Sequence, residues 1–150
     1  MPAPYSGGCQ CGEVRYELTA EPLTVYCCHC TECQAQSSSG FGMSMVMPRA
    51  AYRITRGTPK QWTRKSDSGN DIVCSFCPTC GSRLTHESPA RPDTINVKPG
   101  SLDDKSWLRP VGNCWTRSAQ PWIKFDPEMV NVETQDMAAM MAAYAALHGA

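Results

Sequence analysis

The chain has 150 residues, and its 14 Lys plus Arg balance 14 Asp plus Glu, giving zero formal net charge with 41% hydrophobic residues. That length suits a single domain, residues 1–150, with a real core. Without a basic block or an acidic tail, nucleic acid is not expected as the main partner.

The N-terminus, MPAPYSGGCQ, has neither a positive start nor an apolar stretch of the secretory type, so a cytoplasmic protein is expected. Residues 12–19, GEVRYELT, alternate apolar and polar and read as a strand. LTVYC at 23–27 reads as a second. TECQAQSSSG, which follows the cysteine-rich YCCHCTEC, is too short and Ser-rich for more than one turn of helix. FGMSMVM at 41–47 places Phe41, Met43, Met45 and Met47 on one face. AYRITRG and KQWTRKS follow, separated by the turn signal Gly57-Thr58-Pro59. DIVCSF leads into a second cysteine pair, SRLTHE leads out of it, and DTINVKPGSL supplies one more short strand. NCWTRSAQPWIKF reads as a last pair of strands. Short strands between twelve prolines and eleven glycines imply a mainly β, loop-rich fold. One helix is expected near the C-terminus, capped by Thr134 with Asp136 in its first turn and Gly149 past its end. Met137, Met140, Met141, Tyr144 and Leu147/His148 share one of its faces. Its apolar run, MAAMMAAYAAL, is far below the roughly 18 residues of a membrane span, so no membrane partner is expected.

Ten cysteines dominate the chemistry. Their spacing, CxC at Cys9/Cys11 and CxxC at Cys77/Cys80, suits gripping a metal from short loops better than disulfide formation. A glycine, Gly12 or Gly81, follows the last cysteine of each pair, where positive φ lets the chain fold back and aim N–H groups at the thiolates. Together the pairs make a closed four-thiolate site for a structural zinc. Cys28, Cys30 and Cys33 form a second, local cluster. Three thiolates without an obvious fourth partner are the pattern of a metal with an open position, so a second, catalytic and labile zinc is expected. The alternatives are closure by Cys74, Cys114 or a histidine, and redox-active or unmetallated thiols. Strand alternation aims Cys27 and His29 away from Cys28 and Cys30. His86 reads as solvent-facing or hydrogen-bonded, and Cys27, Cys74 and Cys114 as small buried hydrophobes.

Taken in order, GGCQCGEVRYE, CCHCTEC, FCPTCGSRL, NVKPGSLDD and WTRSAQPW resemble the glutathione-dependent formaldehyde-activating enzyme family, which includes centromere protein V. The match runs over roughly residues 5–125. It implies a β-tent fold with two zinc ions per chain, one held by Cys9, Cys11, Cys77 and Cys80, the catalytic one by Cys28, Cys30 and Cys33. It also implies carbon–sulfur lyase chemistry, the addition of glutathione to formaldehyde, with a small-molecule thiol and aldehyde as partners. Gln34 stands where family members often carry arginine, and Cys114 where an aliphatic residue is expected. The segment around Cys114 is also loosely similar to that of methionine-R-sulfoxide reductases. The rival functions are therefore a non-catalytic zinc-binding interaction domain and a thiol-redox enzyme using Cys114. The C-terminal helix is a plausible homodimer contact.

Overall fold

The computed structural model describes residues 2–149. Among the described residues eleven strands form two sheets, with a helix at the C-terminal end, the mainly β, loop-rich class expected. In chain order the elements begin with β1 (Tyr5–Gly8), β2 (Arg15–Leu18), β3 (Thr24–Cys28), α1 (Thr31–Ser37), β4 (Gly42–Pro48), β5 (Tyr52–Arg56) and β6 (Lys60–Lys65). They continue with β7 (Asp71–Phe76), β8 (Arg83–Glu87), β9 (Thr94–Val97), β10 (Gly112–Cys114), β11 (Val130–Asn131) and α2 (Met137–Leu147). The chain divides into two compact units, and β4 carries it from the second into the first.

The first unit comprises residues up to Pro22 together with Val46–Trp107. Its small antiparallel sheet has the order β1-β2-β5. Period-two alternation in β2 explains the burial: Tyr16 and Leu18 are enclosed, while Arg15 and Glu17 reach Asp103 and Arg53. Strands β6, β7, β8 and β9 pair as antiparallel neighbours in that order. Leu84, Ile95, Val97 and Leu102 supply the fully buried core of this unit. The β6 sequence KQWTRK is largely exposed, and charged side chains on such an outer strand discourage pairing with other chains.

The second unit comprises Leu23–Met45 and the residues from Leu108 onward. Here β10 lies between β3 and β11 and runs parallel to both, with Cys114 opposite Cys28 and Asn113 opposite both Cys27 and Asn131. Helix α2 docks through Met140 and Tyr144, and the Thr24 hydroxyl donates to the Met140 carbonyl at 3.0 Å.

Local structure differs from the sequence expectation in four places. The segment after Cys30 is a seven-residue helix of about two turns, because caps at both ends offset its poor composition. Cys30 accepts the Cys33 N–H at its start, and Ser38 closes it in the left-handed conformation. The cap of α2 is Asp136, whose carboxylate accepts the Ala139 N–H at 3.0 Å, whereas the Thr134 carbonyl is taken by Trp115 N–H. Residues 113–125 contribute only the end of β10 and a 3-10 turn at Thr116–Ser118, since Trp115 at φ 57 turns the chain out of the strand. Strands β1 and β11 carry too little alternation to be read from sequence.

Candidate metal centres

In the first unit the Sγ atoms of Cys9, Cys11, Cys77 and Cys80 all lie within 4.8 Å of one another. Cys9 and Cys11 are 3.6 Å apart, and Cys11 and Cys77 3.8 Å. Four sulfurs at zinc-bond length on a tetrahedron stand about 3.8 Å apart, whereas a disulfide needs about 2.05 Å. The spacing fits a metal, and none of the ten cysteines is joined in a disulfide.

Each half of this set is a tight turn. Gly12 (φ 81) donates to the Cys9 carbonyl, and Gly81 (φ 77) donates to that of Cys77. A side chain at either glycine would be strained, and the positive φ returns the backbone toward the sulfurs. Val14 N–H then reaches Cys9 Sγ at 3.2 Å, while the N–H groups of Thr79 and Cys80 reach Cys77 Sγ at 3.4 and 3.5 Å. These donors favour thiolate over thiol. The Ser82 hydroxyl joins the halves, lying 3.2 Å from Cys80 Sγ and accepting Gln10 N–H at 3.0 Å. The Ser82 hydroxyl and backbone N–H pull the Cys80 thiol down to about 5. Sequence reasoning missed Ser82, although its place directly after the CxxCG turn is a usable signal.

In the second unit Cys28, Cys30 and Cys33 are also mutually within 4.8 Å. Among the described residues no fourth histidine, cysteine or carboxylate lies that close to all three. Cys28 ends β3, Cys30 is the cap of α1 and Cys33 sits in its first turn. A strand end feeding a helix start thus gathers three sulfurs from six consecutive residues. Cys28 and Cys33 are buried, while Cys30 is partly open. Hydrogen bonds from the Cys28 and Cys33 side chains, with help from the Cys33 and Glu32 N–H groups, pull Cys30 down to about 2. Cys28 is pushed up, first by its hydrogen bond with the Cys114 side chain and then by that with Cys30.

Gln34 is fully engaged inside this unit. Its amide N–H groups donate to the carbonyls of His29 (2.7 Å) and Ser118 (2.9 Å), and its Oε1 accepts from Gln120 at 2.8 Å. It is a bracket between the cluster and the 3-10 turn, a role that residue type alone did not reveal. His29 is buried and turned away from the sulfur set, as alternation requires. Its Nε2 pairs with Asn113 Oδ1 at 2.9 Å, Asn113 donates to Asn131, and Asn131 donates to the Asp126 carbonyl. That chain of amides fixes the proton on Nε2. Phe41 and Phe125 flank the ring. Cys27 is half-buried, while Cys74 and Cys114 are fully enclosed, and all three lie outside both sulfur sets.

The family model for the glutathione-dependent formaldehyde-activating enzyme matches residues 4–118, which include both cysteine sets. The chain belongs to that family. Among solved structures, a crystal structure of a Rhodobacter sphaeroides protein superposes with a TM-score of 0.53 at 22% identity, covering 70% of this chain and 91% of that one. That similarity concerns the fold alone. No helix among the described residues is long and apolar enough to cross a membrane.

Proposed function

We propose that this family member is a zinc-dependent carbon–sulfur lyase-type enzyme that adds a small, glutathione-like thiol to formaldehyde or a related aldehyde, or reverses the addition. The observation that carries this reading is the contrast in sulfur count: four converging thiols in one unit and three in the other. Cys9, Cys11, Cys77 and Cys80 would hold a structural zinc whose sulfur shell leaves no position for substrate. Cys28, Cys30 and Cys33 would hold the catalytic one and leave its fourth position to the thiol substrate. Zinc bound there would supply a positive centre that keeps a thiol ionised near neutral pH.

The chain's own residues do the positioning. The cap geometry fixes Cys30 and Cys33 on one helical turn, and the β3–β10 ladder fixes Cys28. The partial exposure of Cys30 marks the side from which a thiol enters. In the addition, the thiol sulfur bonds to the aldehyde carbon, the C=O π pair moves onto oxygen, and a solvent proton completes the hydroxyl. Formaldehyde is electrophilic enough that ionisation and proximity suffice.

The test is Cys30→Ser. Serine preserves the helix cap, so the fold is retained while one sulfur ligand is lost. Wild-type protein should carry two zinc ions and accelerate glutathione–formaldehyde exchange. The variant should carry one zinc and lose about a hundredfold or more in rate, as loss of a ligand that organises the reacting centre does. Two tightly held metals in the variant, or an unaltered exchange rate, would refute the assignment.

A further inference from the structure

Cys114 sits directly opposite Cys28 in the parallel β3–β10 ladder, so the two side chains leave the same face of neighbouring strands. The ladder is closed beside them by His29 N–H donating to the Cys114 carbonyl at 3.0 Å. Cys114 is 2% exposed and Cys28 7%, so no bulk water intervenes. The two side chains are neighbours on that face, yet Cys114 is not part of the three-sulfur set. With Cys28 bound to a metal as thiolate, a hydrogen bond between the pair would run from the Cys114 S–H to the Cys28 sulfur.

We propose that Cys114 is a positioning residue that donates its S–H to the metal-bound sulfur of Cys28 and thereby tunes the centre's affinity for its fourth ligand. This rests on reading Cys28, Cys30 and Cys33 as a metal centre. Three thiolates on a divalent ion leave a net negative charge and weaken its attraction for another sulfur. A hydrogen bond into one of them withdraws electron density and partly restores that attraction. In the four-sulfur set the donors into Cys9 and Cys77 are backbone N–H groups, which substitution leaves in place. At Cys28 the donor is a side chain, so it can be removed on its own.

The test uses full-length protein loaded with cobalt(II), whose sulfur-to-metal charge-transfer band reports electron density at the ligands, titrated with 2-mercaptoethanol. Cys114→Val keeps the apolar volume and removes the donor, whereas Cys114→Ser keeps a donor. The valine variant should shift the band to longer wavelength and weaken 2-mercaptoethanol binding by about tenfold, the scale of lost outer-sphere partners at metal sites. The serine variant should recover both toward wild type. Identical bands and affinities in wild type and the valine variant overturn the proposal, as does a serine variant that behaves like valine. Two four-sulfur cobalt centres in wild type without added thiol, reduced to one in the valine variant, also overturn it, because Cys114 would then be a ligand. If wild-type protein takes up only one cobalt, the metal reading fails first and this proposal with it.

Discussion

The two sulfur centres solve opposite problems with the same atom. The four-sulfur set joins turns that lie 66 positions apart in the chain, and backbone N–H groups and the Ser82 hydroxyl serve its sulfurs. The three-sulfur set comes from one strand end and one helical turn, and much of its support is side-chain: Gln34 as a bracket, Cys114 beside Cys28. A centre that closes a long loop removes much chain entropy and belongs to stability. One assembled locally closes almost no loop, so its sulfurs contribute little to folding, which agrees with the chemical role proposed for them.

The largest effect expected from this contrast is that of Cys77→Ser. It removes a fully enclosed thiol that connects β7 to the N-terminal turn. Structural zinc contributes apparent binding free energies of about 10–16 kcal/mol in small domains, so losing one of four thiolates should abolish cooperative folding of the first unit or lower its midpoint by tens of degrees. Thermal unfolding followed by circular dichroism, with zinc stoichiometry on the same sample, reads this directly. A Cys77→Ser protein as stable as Cys30→Ser would erase the distinction between the centres.

A smaller effect sharpens the comparison within the second unit. Cys30 is drawn down by its neighbours' hydrogen bonds, whereas burial pushes Cys27 up to about 11. A lowered thiol stays ionised as the pH falls and loses its charge only near its own low value. A raised one ionises only as the pH climbs past its high value. In metal-stripped protein, iodoacetamide should therefore label Cys30 at nearly constant rate from pH 8 to pH 5, where an ordinary thiol slows by about tenfold per pH unit. Cys27 should stay unlabelled until about pH 10. Mass mapping that shows Cys30 slowing like an ordinary thiol would contradict the local geometry of the cap.

How much of this was legible in the sequence follows from how local each cause is. The sulfur sets were readable because CxC and CxxC spacing, with Gly12 and Gly81 behind them, constrains geometry within five residues. The β2 strand was readable for the same reason, through alternation, and β3 through its short run of β-branched and aromatic residues. Helix α1 was not, because its stability comes from a cysteine acting as a cap and from the Gln34 side chain reaching a turn 84 positions away. The parallel pairing of β10 with β3, and hence the Cys28–Cys114 neighbourhood, depends on a connection no local pattern encodes. The Asp136 cap was missed by two residues because both Thr134 and Asp136 carry oxygens suited to capping, and only the Trp115–Thr134 bond decides between them.

Gln34 gives the smallest effect and the finest test. Its amide makes three hydrogen bonds, to the His29 carbonyl, the Ser118 carbonyl and the Gln120 side chain, all within the second unit. Gln34→Ala leaves two carbonyls short of a donor in a partly buried setting. At about 0.5–1.5 kcal/mol for each of the two bonds to carbonyls, the loss should come to about 1–3 kcal/mol in chemical denaturation. Because the bracket holds the chain beside Cys28, Cys30 and Cys33, the same change should increase metal loss from the three-sulfur centre while leaving the four-sulfur metal in place. Competition with a chelator, followed in time, separates the two metals by their rates of release. If both metals leave Gln34→Ala at wild-type rates, the glutamine supports the fold without supporting the site. Glutamate at this position would instead set a carboxylate against two carbonyl oxygens, so Gln34→Glu should be worse than alanine even though it is nearly the same shape.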